Sequence, residues 1–238
     1  MSVLEFVAAT LIVTFGAALQ GSIGYGMGLV VIPILILIDP AFIPGAMLIC
    51  AFTLSVLVIL REKRALNFQG LQWAIVGRIL GAFVAAWLLT LITQDTLILL
   101  SGFFVLFSVG ITARGPKISV KPLNLGIAGV LSGIMGTMAA IGGPPMALLY
   151  QHESGTRIRT SLSGFFIASV TISLVTLLLI GRFGTHELEL GMALLPGTLL
   201  GYLASTKVLL WLDRSYTRPA VLLMATVSAL VVIINQLW

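Results

Sequence analysis

Two glycine-rich stretches carrying polar side chains interrupt an otherwise apolar sequence. One is Gly21-Ser-Ile-Gly-Tyr-Gly-Met-Gly28, preceded by Gln20. The other is Ser132-Gly-Ile-Met-Gly-Thr137, running on to Gly142-Gly-Pro-Pro145. Glycine and proline both interrupt helices and leave backbone N–H and C=O groups unpaired. Lipid cannot satisfy such groups, so breaks of this kind persist only where they line a cavity inside protein. The chemistry they offer is anion binding. A helix N-terminus carries free N–H groups and about half a positive charge, and it holds an anion without any fixed cation. Half-helices starting near Gly28 and near Gly143 are expected to aim their N-termini at one midplane site. Pro144 and Pro145 suit a helix start, where a missing N–H is harmless. Pro33 lies inside its short segment and is expected to kink it. The candidate substrate-binding residues are Gln20, Gly21, Ser22, Gly24, Tyr25, Gly26, Gly28, Ser132, Gly136, Thr137, Gly142, Gly143 and Pro144. The alternative for each polar side chain among them is to satisfy a neighbouring carbonyl.

Other chemistry finds little support. All 8 acidic residues fall in loops or near segment ends: Glu5, Asp39, Glu62, Asp95, Glu153, Glu187, Glu189 and Asp213. The buried carboxylate or histidine relay of proton-coupled pumps is therefore not expected. Arg78 and Lys207 are read as lying near the cytoplasmic ends of their helices and snorkelling there. Cys50 is the single cysteine, so it forms no intrachain disulfide and reads as a small buried filler. His186 is isolated. His152-Glu153, close to Arg157 and Arg159, reads as a solvated loop or as a mouth that attracts anions. No Walker A, G-x-S-x-G or H-E-x-x-H pattern is present. The expectation is a protein that is not an enzyme, with no catalytic residue, metal or cofactor.

The elements that position the glycine breaks are membrane helices. Hydrophobic residues make up 59% of the 238-residue chain and charged residues 9%, against about 25% charged in soluble domains. Apolar segments run approximately from Val3 to Gln20, Gly28 to Ile38, Pro44 to Leu60, Leu71 to Ile92 and Thr96 to Thr112. A second series runs from about Leu123 to Ala140, Pro145 to Gln151, Thr160 to Ile180, Leu188 to Leu212 and Arg218 to Leu237. A crossing helix needs about 20 apolar residues. The second member of each series is too short for that, and reads as a half-helix or the return arm of a re-entrant hairpin. The net charge of +5 resides in short loops. It sets membrane orientation rather than binding nucleic acid.

Basic residues cluster in four loops: Arg61, Lys63 and Arg64; Arg114, Lys117 and Lys121; Arg157 and Arg159; Arg214 and Arg218. The positive-inside rule places all four in the cytoplasm. The two series also correspond. Gly77-x-x-x-Gly81 in the first matches Gly197-x-x-x-Gly201 in the second, and both pairs read as close helix contacts. With the breaks also in corresponding positions, the chain reads as all-α, a polytopic transmembrane helical bundle of two repeats. Residues 1–112 form the first, 113–122 a basic cytoplasmic linker, and 123–238 the second. Loop charge makes the two inverted copies, a plan of secondary transporters. The side of the N-terminus follows from that symmetry alone.

Gly21 through Gly28 with Pro33 resembles the first glycine signature of the TauE/SafE family of membrane permeases. Gly133-Ile-Met-Gly136 through Gly142-Gly-Pro-Pro-Met-Ala-Leu-Leu is similar to the second. Arg159-Thr-Ser-Leu and Pro196-Gly-Thr-Leu-Leu-Gly201 resemble later landmarks. Met27 and Leu29 depart from a common triple glycine, and Gly-Gly-Pro-Pro replaces Gly-Gly-Gly. The resemblance implies export of a small oxyanion (sulfite, sulfoacetate or a related organosulfonate) across the cell inner membrane. The expected partners are that anion and the lipid bilayer, with a homodimer as an open arrangement. A channel using the same site, or a non-transporting membrane subunit, is the rival reading.

Overall fold

A computed structural model describes residues 2–62, 71–115, 118–151, 155–211 and 214–238; within them, the side chains of 155, 157, 208–211 and 214–218 are left aside. Lys63, Arg64, Lys117, His152 and Glu153 lie outside the described residues, as do the side chains of Arg157, Arg214 and Arg218. All ten expected apolar segments are helices, with ends moved by a few residues. They are α1 (Val3–Ile23), α2 (Met27–Ile38), α3 (Gly45–Arg61), α4 (Leu71–Leu91), α5 (Gln94–Arg114), α6 (Pro122–Ala139), α7 (Gly143–Tyr150), α8 (Gly155–Leu179), α9 (Thr185–Trp211) and α10 (Arg214–Leu237). A 3-10 turn, Pro40–Phe42, joins α2 to α3. No strand occurs among the described residues.

Seven of these helices, α1, α4, α5, α6, α8, α9 and α10, are long and apolar enough to cross a membrane. The side chains are sorted as lipid requires. On α4 the inward face carries Ala74, Gly77, Gly81, Ala82 and Ala85, while Val76, Leu80, Phe83 and Trp87 point outward. Lipid is as apolar as these large side chains, so helices gain by bringing small residues together and letting backbones approach. A Cβ at Gly77 or Gly81 would strike the carbonyls of Gly126 and Val130 on α6. A Cβ at Gly197 or Gly201 would strike the carbonyls of Thr10 and Thr14 on α1. Both pairs are close-packing contacts, as their spacing suggests. The other main contacts are α3 with α8, α3 with α9, and α5 with α10.

Local chemistry sets the helix ends. Ser2 and Glu5 form a reciprocal cap on α1, with Ser2 N donating to Glu5 Oε2 at 2.8 Å and Glu5 N to Ser2 Oγ at 3.2 Å; this occupies the only charge of the N-terminal segment. Thr93 caps α5, and Pro122 opens α6. At the other end of α1, Gly24 (φ 102°) donates its N–H to Gln20 O at 2.7 Å, and Gly26 (φ 112°) starts α2. Side chains rarely adopt these angles, which is why the turn needs glycine at both places. The turn sends α2 back along α1: a Cβ at Gly16 would run into Val31, and one at Gly26 would lie 3.3 Å from Leu19 Cδ2. α1 and α2 are thus an antiparallel hairpin, which settles the first short segment as a return arm.

Gly81→Val is expected to cost about 2 kcal/mol or more through overpacking, read as a lower melting temperature in detergent. Gly110→Val is the control, because an added Cβ there meets nothing within 4 Å. Equal melting temperatures for the two variants would contradict the close α4–α6 contact.

Candidate functional site

The two breaks meet. A Cβ at Gly28 would lie 2.8 Å from Ala140 O, and one at Gly143 would lie 3.5 Å from Tyr25 Cβ. The second turn is made differently from the first. Ala140 takes the left-handed conformation (φ 56°) and donates its N–H to Gly136 O at 3.0 Å, ending α6. Ser132 Oγ donates to Gly142 O at 2.6 Å. α7 then starts at Gly143, with Pro144 in its first turn.

Between the breaks lies a cavity of about 40 Å³, lined by Gln20, Gly26, Gly28, Leu29, Leu48 and Ala51 from the first half. Gly136, Ala140 to Pro144, Phe166, Ser169 and Val170 complete it, together with Arg78. At about 30 Å³ per water in the liquid, it has room for one or two waters. Of the expected site residues, Gln20, Gly26, Gly28, Gly136, Gly142, Gly143 and Pro144 line it. Both short helices therefore begin at its wall, and their N-terminal dipoles converge there.

Arg78 corrects the sequence reading. It does not snorkel. It is 1% exposed and points inward from the eighth position of the 21-residue α4, roughly 10 Å along the helix axis. Arg78 Nη1 donates to Ser132 O, and Nη2 donates to Ser173 Oγ, to Ser169 O at 3.1 Å and to Thr137 Oγ1 at 3.5 Å. Thr137 Oγ1 and Ser173 Oγ share a further hydrogen bond of 2.8 Å. Ser132 and Thr137 thus hold the guanidinium and do not line the cavity themselves. The reason is register. Arg78 lies four residues after Ala74 and three before Gly81, on the small-residue face that α6 covers, so its path to the helix end is closed. That spacing was the available signal. Lys207, by contrast, is exposed.

Gly21, Ser22 and Gly24 belong to a second polar group. Arg61 Nη2 donates to Gly21 O at 2.6 Å, Arg61 Nη1 to Ser205 Oγ at 2.8 Å, and Arg159 Nη1 to Ser22 O at 3.4 Å. Ser22 Oγ donates to Ala18 O at 2.7 Å and to Ser205 O at 3.2 Å. Glu62 Oε1 joins the group, 2.7 Å from Arg159 Nε and 3.1 Å from Arg61 Nη2. This network ties the broken end of α1 to α3, α8 and α9. Arg159 also packs on Gly24, where a Cβ would lie 3.1 Å from its Cα. Tyr25 is half-buried and packs with the cluster of Phe165 and Phe166.

The helices and the buried guanidinium define a polytopic integral membrane protein with a mostly apolar cavity at the junction of the two breaks, one side of which is Arg78. The chain matches the family described as Sulfite exporter TauE/SafE over residues 9–232. It belongs to that family, which is one of membrane transporters. No curated protein and no solved structure matches it.

Glu62→Gln removes the one carboxylate that Arg159 and Arg61 meet among the described residues. Breaking a buried pair on one side is strongly destabilising. A cost of about 2 kcal/mol is expected, measured as a lower melting temperature in detergent. An unchanged melting temperature would show that the network carries no stability.

Proposed function

We propose that the chain exports a small oxyanion, such as sulfite or a short organosulfonate, across the inner membrane by alternating access. The observation that carries this reading is the convergence of α2 and α7, both starting at one cavity at the junction of the two breaks. The positive ends of the two helix dipoles at that junction favour an anion. Family membership supports the same substrate class.

In this reading residues 1–112 and 123–238 are inverted repeats joined by 113–122. The packing fits that symmetry: α1 lies on α9 as α6 lies on α4, and α3 meets α8 as α5 meets α10. The Arg61–Glu62–Arg159 network would close the cytoplasmic side. On the opposite side, a cavity of about 290 Å³ is lined by Leu89, Gln94, Leu97, Leu177, Arg182 and Glu187 among others. Leu48, Leu89, Leu97, Val170 and Leu177 form one apolar cluster, and it would separate this outer cavity from the inner one. Rocking one repeat against the other would open each barrier in turn. The interior-negative membrane potential contributes about 2.3 kcal/mol per charge per 100 mV towards anion exit.

Proteoliposomes loaded with sulfite test the reading. Protein-dependent efflux that saturates with sulfite is expected. Gly28→Val is expected to lower that efflux by about tenfold or more, because its side chain would press on the Ala140 carbonyl. Absence of protein-dependent efflux for sulfite and for sulfoacetate would sink the proposal. Efflux that never saturates would replace the transporter with a channel.

A further inference from the structure

A guanidinium in an apolar interior is costly unless an anion faces it. Arg78 has no carboxylate within ion-pair distance among the described residues, where the ion pairs are those of Glu62 with Arg61 and Arg159. The acceptors at Arg78 are two backbone carbonyls and two hydroxyls, all neutral. They engage Nη1 and Nη2, while the buried Nε–H has no hydrogen-bond partner among the described residues. The side chain nonetheless forms part of the wall where the two short helices begin. The neighbouring helix start compensates little. Pro144 and Pro145 carry no N–H, so the first turn of α7 has lost two of its free donors.

We infer that Arg78 is the fixed positive charge of the cavity and the direct ligand of an oxyanion bound there. This rests on the cavity being the substrate site. Ser132, Ser169, Ser173 and Thr137 position the guanidinium. The start of α2 adds partial positive charge at the same wall. A planar guanidinium suits the oxygens of a compact oxyanion, which accept its N–H groups with a matching charge. Gly136 is the second part of the device. A Cβ there would lie 2.5 Å from Arg78 Nη1 and 3.0 Å from Nη2, so this glycine keeps open the space that the guanidinium fills. The competing role for Arg78 is a neutral-acceptor staple between α4, α6 and α8, with no part in binding.

The test is the melting temperature of the full-length protein in detergent, titrated with sulfite, sulfate or nitrate against chloride at matched ionic strength. Wild type is expected to be stabilised by at least one oxyanion. Arg78→Gln is expected to lose that increment, and Arg78→Lys to keep part of it. Gly136→Ala retains the charge but displaces it, and is expected to raise the half-saturating concentration about tenfold, the worth of one charged hydrogen bond. An increment equal in wild type and Arg78→Gln would remove Arg78 from the site while leaving the cavity reading in place. No stabilisation of wild type by any of the three oxyanions would overturn both. If Arg78→Gln does not fold, Gly136→Ala decides: wild-type affinity in that variant overturns the inference.

Discussion

A positive charge held 1% exposed inside an apolar bundle constrains nearly everything around it. Neutral oxygens can solvate Arg78 through hydrogen bonds, but they cannot cancel its charge, and in a low-dielectric interior that difference is large. Three helices contribute to the arrangement: α4 carries the side chain, α6 supplies Ser132 and Thr137, and α8 supplies Ser169 and Ser173. The α4–α6 contact must be close for the Ser132 carbonyl to reach the guanidinium. It is close because Gly77, Gly81, Gly129 and Gly133 put backbone against backbone. The glycines that pack the helices and the arginine that charges the cavity therefore depend on one another.

The helix breaks answer the same constraint from the other direction. Their unpaired backbone groups need protein or polar surroundings, because lipid supplies none. Bringing both breaks to one place gives them a shared cavity. Ser132 links the two features: its carbonyl accepts from Arg78 and its hydroxyl donates to Gly142 O at 2.6 Å. A shift of α6 relative to α4 would therefore move the charge and the second break together. The proposed alternating access would use that coupling.

Much of this was legible in the sequence. Apolar segment lengths and the Gly/Pro punctuation located the helices, because hydropathy follows directly from lipid being the solvent. The glycine pairs were readable as contacts because small residues four apart share a helix face. The direction of α2 was less accessible. Whether a short apolar segment crosses or turns back depends on the backbone angles at Gly24 and Gly26, which residue type permits but does not dictate. Arg78 was misread because nearness to a helix end suggests an escape route. Its register with Ala74 and Gly81 pointed inward, and only the packing of α6 made that decisive. The hydroxyls of Ser22, Ser132 and Thr137 lay near the breaks, as read. Ser22 and Ser132 donate to the nearby Ala18 and Gly142 carbonyls. Ser22 also reaches Ser205 O, and Thr137 meets Arg78 and Ser173, partners on helices far away in sequence.

The central claim is that one anion binds where the two broken helices and Arg78 meet. A crystal of the wild-type protein grown with selenite, an oxyanion with an anomalous scatterer, tests it most directly. The account predicts an anomalous peak within hydrogen-bonding reach of the Arg78 guanidinium, between the starts of α2 and α7. A peak confined to the Arg61–Glu62–Arg159 network or to the outer cavity beside Arg182, with none at Arg78, would contradict it.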